Sequence, residues 1–256
     1  MNAIQPTPAS SVSSHALSPT TAARLAGLGY IAIVLLAMGA NFLVRNQLVV
    51  FDDPAATMSN IAENETTFRL GVAGFTVIAM IDIGIAWALH VLLRHTGERR
   101  SLLAAWLRLA YTVAFVPSIT FMVLALQLSV GGDVLTGLDV GQREAWTGLA
   151  MEAFDVTWLL ALVAFGLHLI VVGRILFASG LGRALGIALS IAGVAYVADT
   201  FAHLLLANYA DFGGAFLAIV ATLSIVSEVW FTIWLLVRAP RVMAILPGRK
   251  PELVAA

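Results

Sequence analysis

Six long apolar runs constrain this chain more than anything else in it. Read between charged or Gly/Pro-rich breaks, they fall at about 24–44, 70–93, 102–128, 146–172, 184–206 and 215–237. Each has the length of a helix that crosses a hydrocarbon core, which takes roughly 20 apolar residues for about 30 Å. Backbone in lipid must pair its own N–H and C=O groups, so only helices and closed barrels span. Barrels are built from short alternating strands, not solid runs. The expected fold is therefore all-α, a polytopic membrane bundle of six transmembrane helices. Composition agrees: 60% of the residues are hydrophobic and 11% charged, against about 25% charged in a soluble domain, and the mean hydropathy is +0.94.

The connections alternate in charge. One side carries Arg94, Arg99, Arg100, Arg174 and Arg183, and the flanking termini add Arg24, Arg238, Arg241, Arg249 and Lys250. The other has Arg45, Arg69 and Arg143 among Asp52, Asp53, Glu63, Glu65, Asp133, Asp139, Glu144 and Asp211. By the positive-inside rule both termini face the cytoplasm. Residues 1–20 are Ser/Thr/Ala/Pro-rich without a basic residue and read as a disordered cytoplasmic tail. Residues 21–240 form the membrane domain and 241–256 a second cytoplasmic tail. In the first outer loop, "FDDPAATMSNIAENETTFR" offers Asp52 or Asp53 as N-cap and Pro54 at the first helical position. A short interfacial helix to about Asn64 follows, with Met58, Ile61 and Ala62 on one face, to lie in the interface or cover the outer mouth of the bundle.

The net charge of -1 leaves no basic surplus for phosphates and speaks against a nucleic-acid partner. The absence of cysteine excludes disulfides and thiolate chemistry. Neither H-E-x-x-H, G-x-S-x-G, Walker A nor G-x-G-x-x-G occurs, so no catalytic residue and no cofactor is indicated. The partners indicated are the lipid bilayer and a proton or small solute, and the sequence leaves a protein partner or homo-oligomer open.

The informative residues are those that lipid should not hold. A charged side chain at a helix centre costs about 2.5–3.5 kcal/mol on insertion scales. Asp82 and Glu228 sit near the middles of spans two and six, with Asp155 somewhat shallower on span four and Glu152 one turn outward of it. Asp199 lies in the outer half of span five, with His203 at i+4 on the same face. Four lipid-facing carboxylates would cost on the order of 10 kcal/mol, as much as a whole protein's net stability. They are expected to face the interior, kept neutral by a partner, a water-filled cavity or a proton.

Arg108, on span three, can reach Asp82 on the neighbouring span, either as a register-fixing pair or as a functional counter-ion. The remaining acids outnumber the cations, so at least two must be protonated, neutralised by something bound, or hydrogen-bonded to groups such as Thr76, Thr157, Thr200 or Ser227. Asp82, Arg108, Glu152, Asp155, Asp199, His203 and Glu228 thus form the candidate binding set, an intramembrane polar cluster. As a metal site it is weak, because a single imidazole lies at this depth. His90 and His168, near the inner span ends, read as interface residues. Trp146 fits the outer aromatic belt, while Trp87, Trp106, Trp158, Trp230 and Trp234 read as packing residues. Pro117 and the glycines of "GRALGIALSIAGVAY" read as kinking and closely packing helices.

The runs "ARLAGLGYIAIVLLAMGANFLVR", "NIAENETTFRLGVAG", "DIGIAWALHVLLR", "FGLHLIVVGRILFASGLGRALGIALSIAGVAYVADTFAHLL" and "SEVWFTIWLLVRAP" resemble a bacterial integral-membrane family known as domain of unknown function 4386, over roughly residues 20–240. The motifs that carry the resemblance fall on Phe68, Arg69, Gly71, Asp82, Gly166, His168, Ser179, Gly180, Tyr196 and Asp199. Where many relatives have Pro after the Ser-Gly turn, this chain reads "SGLGRALG". The resemblance implies a six-helix protein of the bacterial inner membrane and brings no activity with it. Three functions stay open: a polar cavity for a proton or a small polar or cationic solute, a non-catalytic scaffold or sensor subunit, and an intramembrane enzyme with an outer-facing Asp/His site.

Overall fold

A computed structural model describes residues 17–50 and 52–245. Among them there is no strand. Six helices are long and apolar enough to cross a membrane: span one Pro19–Leu48, span two Glu65–Thr96, span three Glu98–Val130, span four Val140–Ser179, span five Arg183–Leu205 and span six Gly213–Val242. Five of them run past the apolar segments at both ends, because polar caps carry the helices beyond the lipid-compatible stretch. Ser18 accepts from the Thr21 amide at 3.1 Å. Asp139 and Gln142 close a reciprocal capping box at the start of span four. Gly180 ends that span in the left-handed conformation at φ 73°. At 40 residues span four is about 60 Å long, twice the thickness of a hydrocarbon core. The outer parts of both expected tails, with Arg249 and Lys250, lie outside the described residues.

Each helix packs on its neighbours in sequence, and span six returns against span one, so the bundle closes as a ring in chain order. The ring has two apolar cores. One, around Leu89, Leu92, Leu169, Leu176, Leu189 and Phe231, lies toward the arginine-rich end. The other, around Phe68, Phe75, Phe115, Met122 and Phe154, lies toward the acidic end.

Spans four and five meet along a glycine seam. A Cβ at Gly166 would sit 2.6 Å from the Gly193 carbonyl oxygen, and the same conflict arises between Gly173 and Gly186. The spacing of seven residues on both helices brings the two pairs into register in an antiparallel contact, so the backbones approach as closely as small residues permit. Close packing by these glycines is as the sequence predicts.

The loop helix is present as Pro54–Glu63, with Asp53 as its N-cap. It packs on spans three and four. Its inward face is Thr57 and Ile61, while Ala62 points to solvent, one position off the expected face. The reason is the Thr57 hydroxyl, which donates to the Val50 carbonyl at 3.0 Å and accepts from the Val50 amide at 2.9 Å. Span three is continuous helix through Pro117. Of the tryptophans, Trp87, Trp106, Trp146 and Trp230 are exposed on the bundle surface, contrary to the packing expected of all but Trp146. Trp234 does pack, and its indole donates to the Leu181 carbonyl at 3.3 Å.

Candidate functional site

The hairpin of spans two and three sets Asp82 opposite Arg108, as their positions predict. The Arg108 Nε and Nη2 donate to Asp82 Oδ1 at 2.9 and 2.5 Å. One turn further along span three, the Thr112 hydroxyl donates to Asp82 Oδ2 at 2.7 Å. The third guanidinium nitrogen, Nη1, donates to the Tyr30 hydroxyl of span one at 2.5 Å and lies 3.4 Å from His168 Nε2 of span four. His168 Nδ1 is 2.8 Å from the Ala104 carbonyl, which can only accept. That bond places the ring proton on Nδ1 and leaves the Nε2 lone pair facing Arg108. The guanidinium lies over the rings of Tyr30 and Phe165, 4.7 and 5.5 Å from their centroids. Four spans thus converge on one cation whose exposure is 1%, with Asp82 at 2% and His168 at 0%. A buried charge is tolerable only when paired and hydrogen-bonded, and both conditions are met.

Glu228, on span six, sits at the rim of this centre. It is half-buried and accepts from the Tyr196 hydroxyl at 3.1 Å. Arg108 attracts it and Asp82 repels it. Asp82 is thus paired with Arg108 directly, and Glu228 is a second acid within electrostatic reach of it.

Asp155 belongs to a different place. It pairs with Arg45, whose side chain is 13% exposed against 33% for Asp155. Arg45 also lies over the Phe154 ring at 5.5 Å. The sequence assigns Arg45 to the outer connection; in the structure span one continues to Leu48 and passes through a π-helical turn, Gly39–Arg45, that carries the arginine. Glu152 is exposed, and it and His203 act on Asp155 through their charges.

Asp199 is in a third place. It accepts from the Tyr209 hydroxyl at 2.7 Å, and the Tyr209 ring packs on His203 at 4.5 Å. The loop between spans five and six folds back so that one tyrosine engages both members of the i, i+4 pair. Burial, and after it the Asp199 carboxylate, push the Tyr209 hydroxyl from 10.0 up to about 12.

The seven candidate residues therefore do not meet at one point: Asp82 and Arg108 pair directly with Glu228 within electrostatic reach, Asp155 pairs with Arg45, and Asp199 and His203 engage Tyr209, with Glu152 and His203 within electrostatic reach of Asp155. None of the hydroxyls proposed for the acids is their hydrogen-bond partner: Thr76 donates to Val72, Thr200 to Leu159 and Tyr196, and Ser227 to Ser224, while no bond from Thr157 to an acid is present among the described residues. Thr112, Tyr196 and Tyr209 take that role, while the Tyr30 hydroxyl accepts from Arg108. Among the described residues no three His, Asp or Glu side chains gather as metal ligands.

An aromatic column separates the two arginines. It runs from Phe154, beneath Arg45, through Phe75, Trp158, Phe115 and Tyr111 to Phe165, beneath Arg108, with centroid separations of 5.0 to 6.0 Å. The motif residues have mostly structural surroundings. Phe68 is fully buried, Arg69 pairs with Glu65 one turn away at 2.7 Å, and Gly71 makes room for Val44. Ser179 donates to the Ile175 carbonyl at 2.7 Å beside the Gly180 cap. Asp82, His168, Tyr196 and Asp199 are the exceptions, each held in one of the polar centres, so His168 belongs to the Arg108 centre and is not an interface residue. Tyr30 and Thr112 carry no local signal in the sequence beyond being hydroxyls on inward faces.

A family model with the description "Domain of unknown function (DUF4386)" matches residues 25–239. No curated protein matches the chain, and no solved structure does.

Proposed function

Since the chain belongs to that family, whose description states no activity, we propose from the site alone that this is a proton-handling protein of the bacterial inner membrane, its termini in the cytoplasm. The proposed group is Glu228, with Arg108 as its counter-ion and Asp82, Tyr30 and Tyr196 as the other groups that face it. The observation that carries this is the charge count: Asp82 already pairs with Arg108, and Glu228 is a second acid within electrostatic reach of the same guanidinium, hydrogen-bonded to Tyr196 and not to Arg108. An ionisable group within a span marks a functional site by default, because apolar residues would pack there at lower cost. A small polar or cationic solute in place of the proton is the broader form of the same reading. Measuring ΔpH-driven flux in proteoliposomes tests it: Glu228→Gln and Asp82→Asn should each abolish the flux, and unchanged flux in both would remove the proposal.

A second reading is a non-catalytic scaffold or sensor subunit. What favours it is the closure of the Asp82–Arg108 pair, whose polar atoms are taken up by Tyr30, Thr112 and His168. It requires Glu228→Gln to fold and behave as the wild type. The outer-facing enzyme has less support, since Asp199 and His203 engage Tyr209 and Glu152 points outward.

A further inference from the structure

A groove of about 770 Å³ opens on the outside of the bundle where spans three, four and five meet toward the arginine-rich end. Its volume is that of a ligand-sized cleft, about 300–1,000 Å³. The apolar floor is Phe177, Ile187, Ile191 and Val194, and the mouth holds Arg100 and Arg174 with no acidic residue in the lining. We propose that this groove binds an anionic phospholipid, the phosphate between the two arginines and an acyl chain along the apolar floor.

Register brings the arginines together. His168 bonds to the Ala104 carbonyl, so moving along the antiparallel pair toward the arginine-rich end carries span four to Arg174 and span three to Arg100 at levels about 3 Å apart. Both side chains are exposed, and among the described residues neither makes an ion pair. The glycine seam sets the depth on the other side: Gly186 faces Gly173, next to Arg174. From Gly186 to Val194 the floor then runs about 12 Å further along span five, away from the mouth. A cationic mouth on an apolar slot, on a surface otherwise suited to lipid, matches a molecule that is anionic at one end and hydrocarbon at the other. The site lies on a different face from Arg108 and Glu228 and holds whatever those residues do.

Native mass spectrometry of the full chain with phosphatidylglycerol and phosphatidylcholine, supplied in equal amounts, tests the assignment. The wild type should retain phosphatidylglycerol in preference. Arg100→Gln and Arg174→Gln should each reduce that preference roughly fivefold, the worth of one cationic side chain against an anionic headgroup. Val194→Trp, which fills the floor and leaves both arginines, should reduce retention of phosphatidylglycerol as well. All three positions are exposed, so folding should survive, and an unchanged melting temperature checks this. A preference that persists in the double glutamine variant would overturn the proposal. So would full retention in Val194→Trp, or displacement of the lipid by inorganic phosphate, either of which would reduce the site to headgroup attraction.

Discussion

Arg108 with Asp82 and Arg45 with Asp155 are the same chemical pair in opposite surroundings. The first is sealed by four spans, with side-chain exposures of 2% and 3%. The second lies where its side chains keep 13% and 33% of their surface. Between them stands the aromatic column, with a cation over the ring at each end. A sealed pair pays a large desolvation cost and needs Tyr30, Thr112 and His168 to complete its hydrogen bonds. The Arg45–Asp155 pair keeps more of its surface open, chiefly on the carboxylate side, so its desolvation cost is smaller and its loss is milder.

The sharpest way to break this contrast is to orphan the sealed cation. Asp82→Ala should lose about 3–5 kcal/mol of stability, the cost of a buried charge without its partner, seen as a lowered unfolding midpoint in detergent. Replacing both members by Asp82→Leu and Arg108→Met should recover most of that loss, because the uncompensated charge is then gone. Gly173→Leu comes next. It forces span four, which carries both His168 and Asp155, away from span five, and should cost about 1–3 kcal/mol by overpacking. Both centres should loosen together, a behaviour that neither single charge mutation shares. Arg45→Gln should cost only about 1 kcal/mol, and the loss should shrink as salt is added. If it equals the loss in Asp82→Ala, the contrast between the two pairs fails.

The smallest expected effect is at the loop. Tyr209→Phe removes the bond to Asp199 at a partly open position and should cost roughly 0.5 kcal/mol. It also has a pH signature. The Tyr209 hydroxyl is raised from 10.0 to about 12 in the folded state, so the folded protein holds that proton more tightly than the unfolded chain. The contribution is complete below pH 10 and is lost as pH rises toward 12. Alkaline unfolding curves of wild type and Tyr209→Phe should therefore converge across that window.

The six spans were legible because lipid leaves few alternatives for long apolar runs. Asp82 with Arg108 was legible too, since a hairpin neighbour and one long cationic side chain left a single sensible match. Arg45 was not, because its place in the helix depends on a π-helical turn, Gly39–Arg45, over the end of the apolar run, and hydropathy does not register that turn. Tyr30, Thr112 and Tyr209 were hidden for another reason. A hydroxyl has ordinary hydropathy wherever it points, and only the packing of the chain decides which one meets a carboxylate, as Thr112 and Tyr209 do, or a guanidinium, as Tyr30 does. The separation of the acids follows from the same packing. Equal depth in different spans does not make residues neighbours.

The most direct test of the proposed role is pH-difference infrared spectroscopy of the reconstituted protein, following the carboxyl C=O stretch. A pH-dependent band should be present in the wild type, vanish in Glu228→Gln, shift in Tyr196→Phe as the hydrogen bond to Glu228 is lost, and persist in Asp155→Asn. Identical difference spectra for the wild type and Glu228→Gln would contradict the assignment of Glu228 as the group that exchanges the proton.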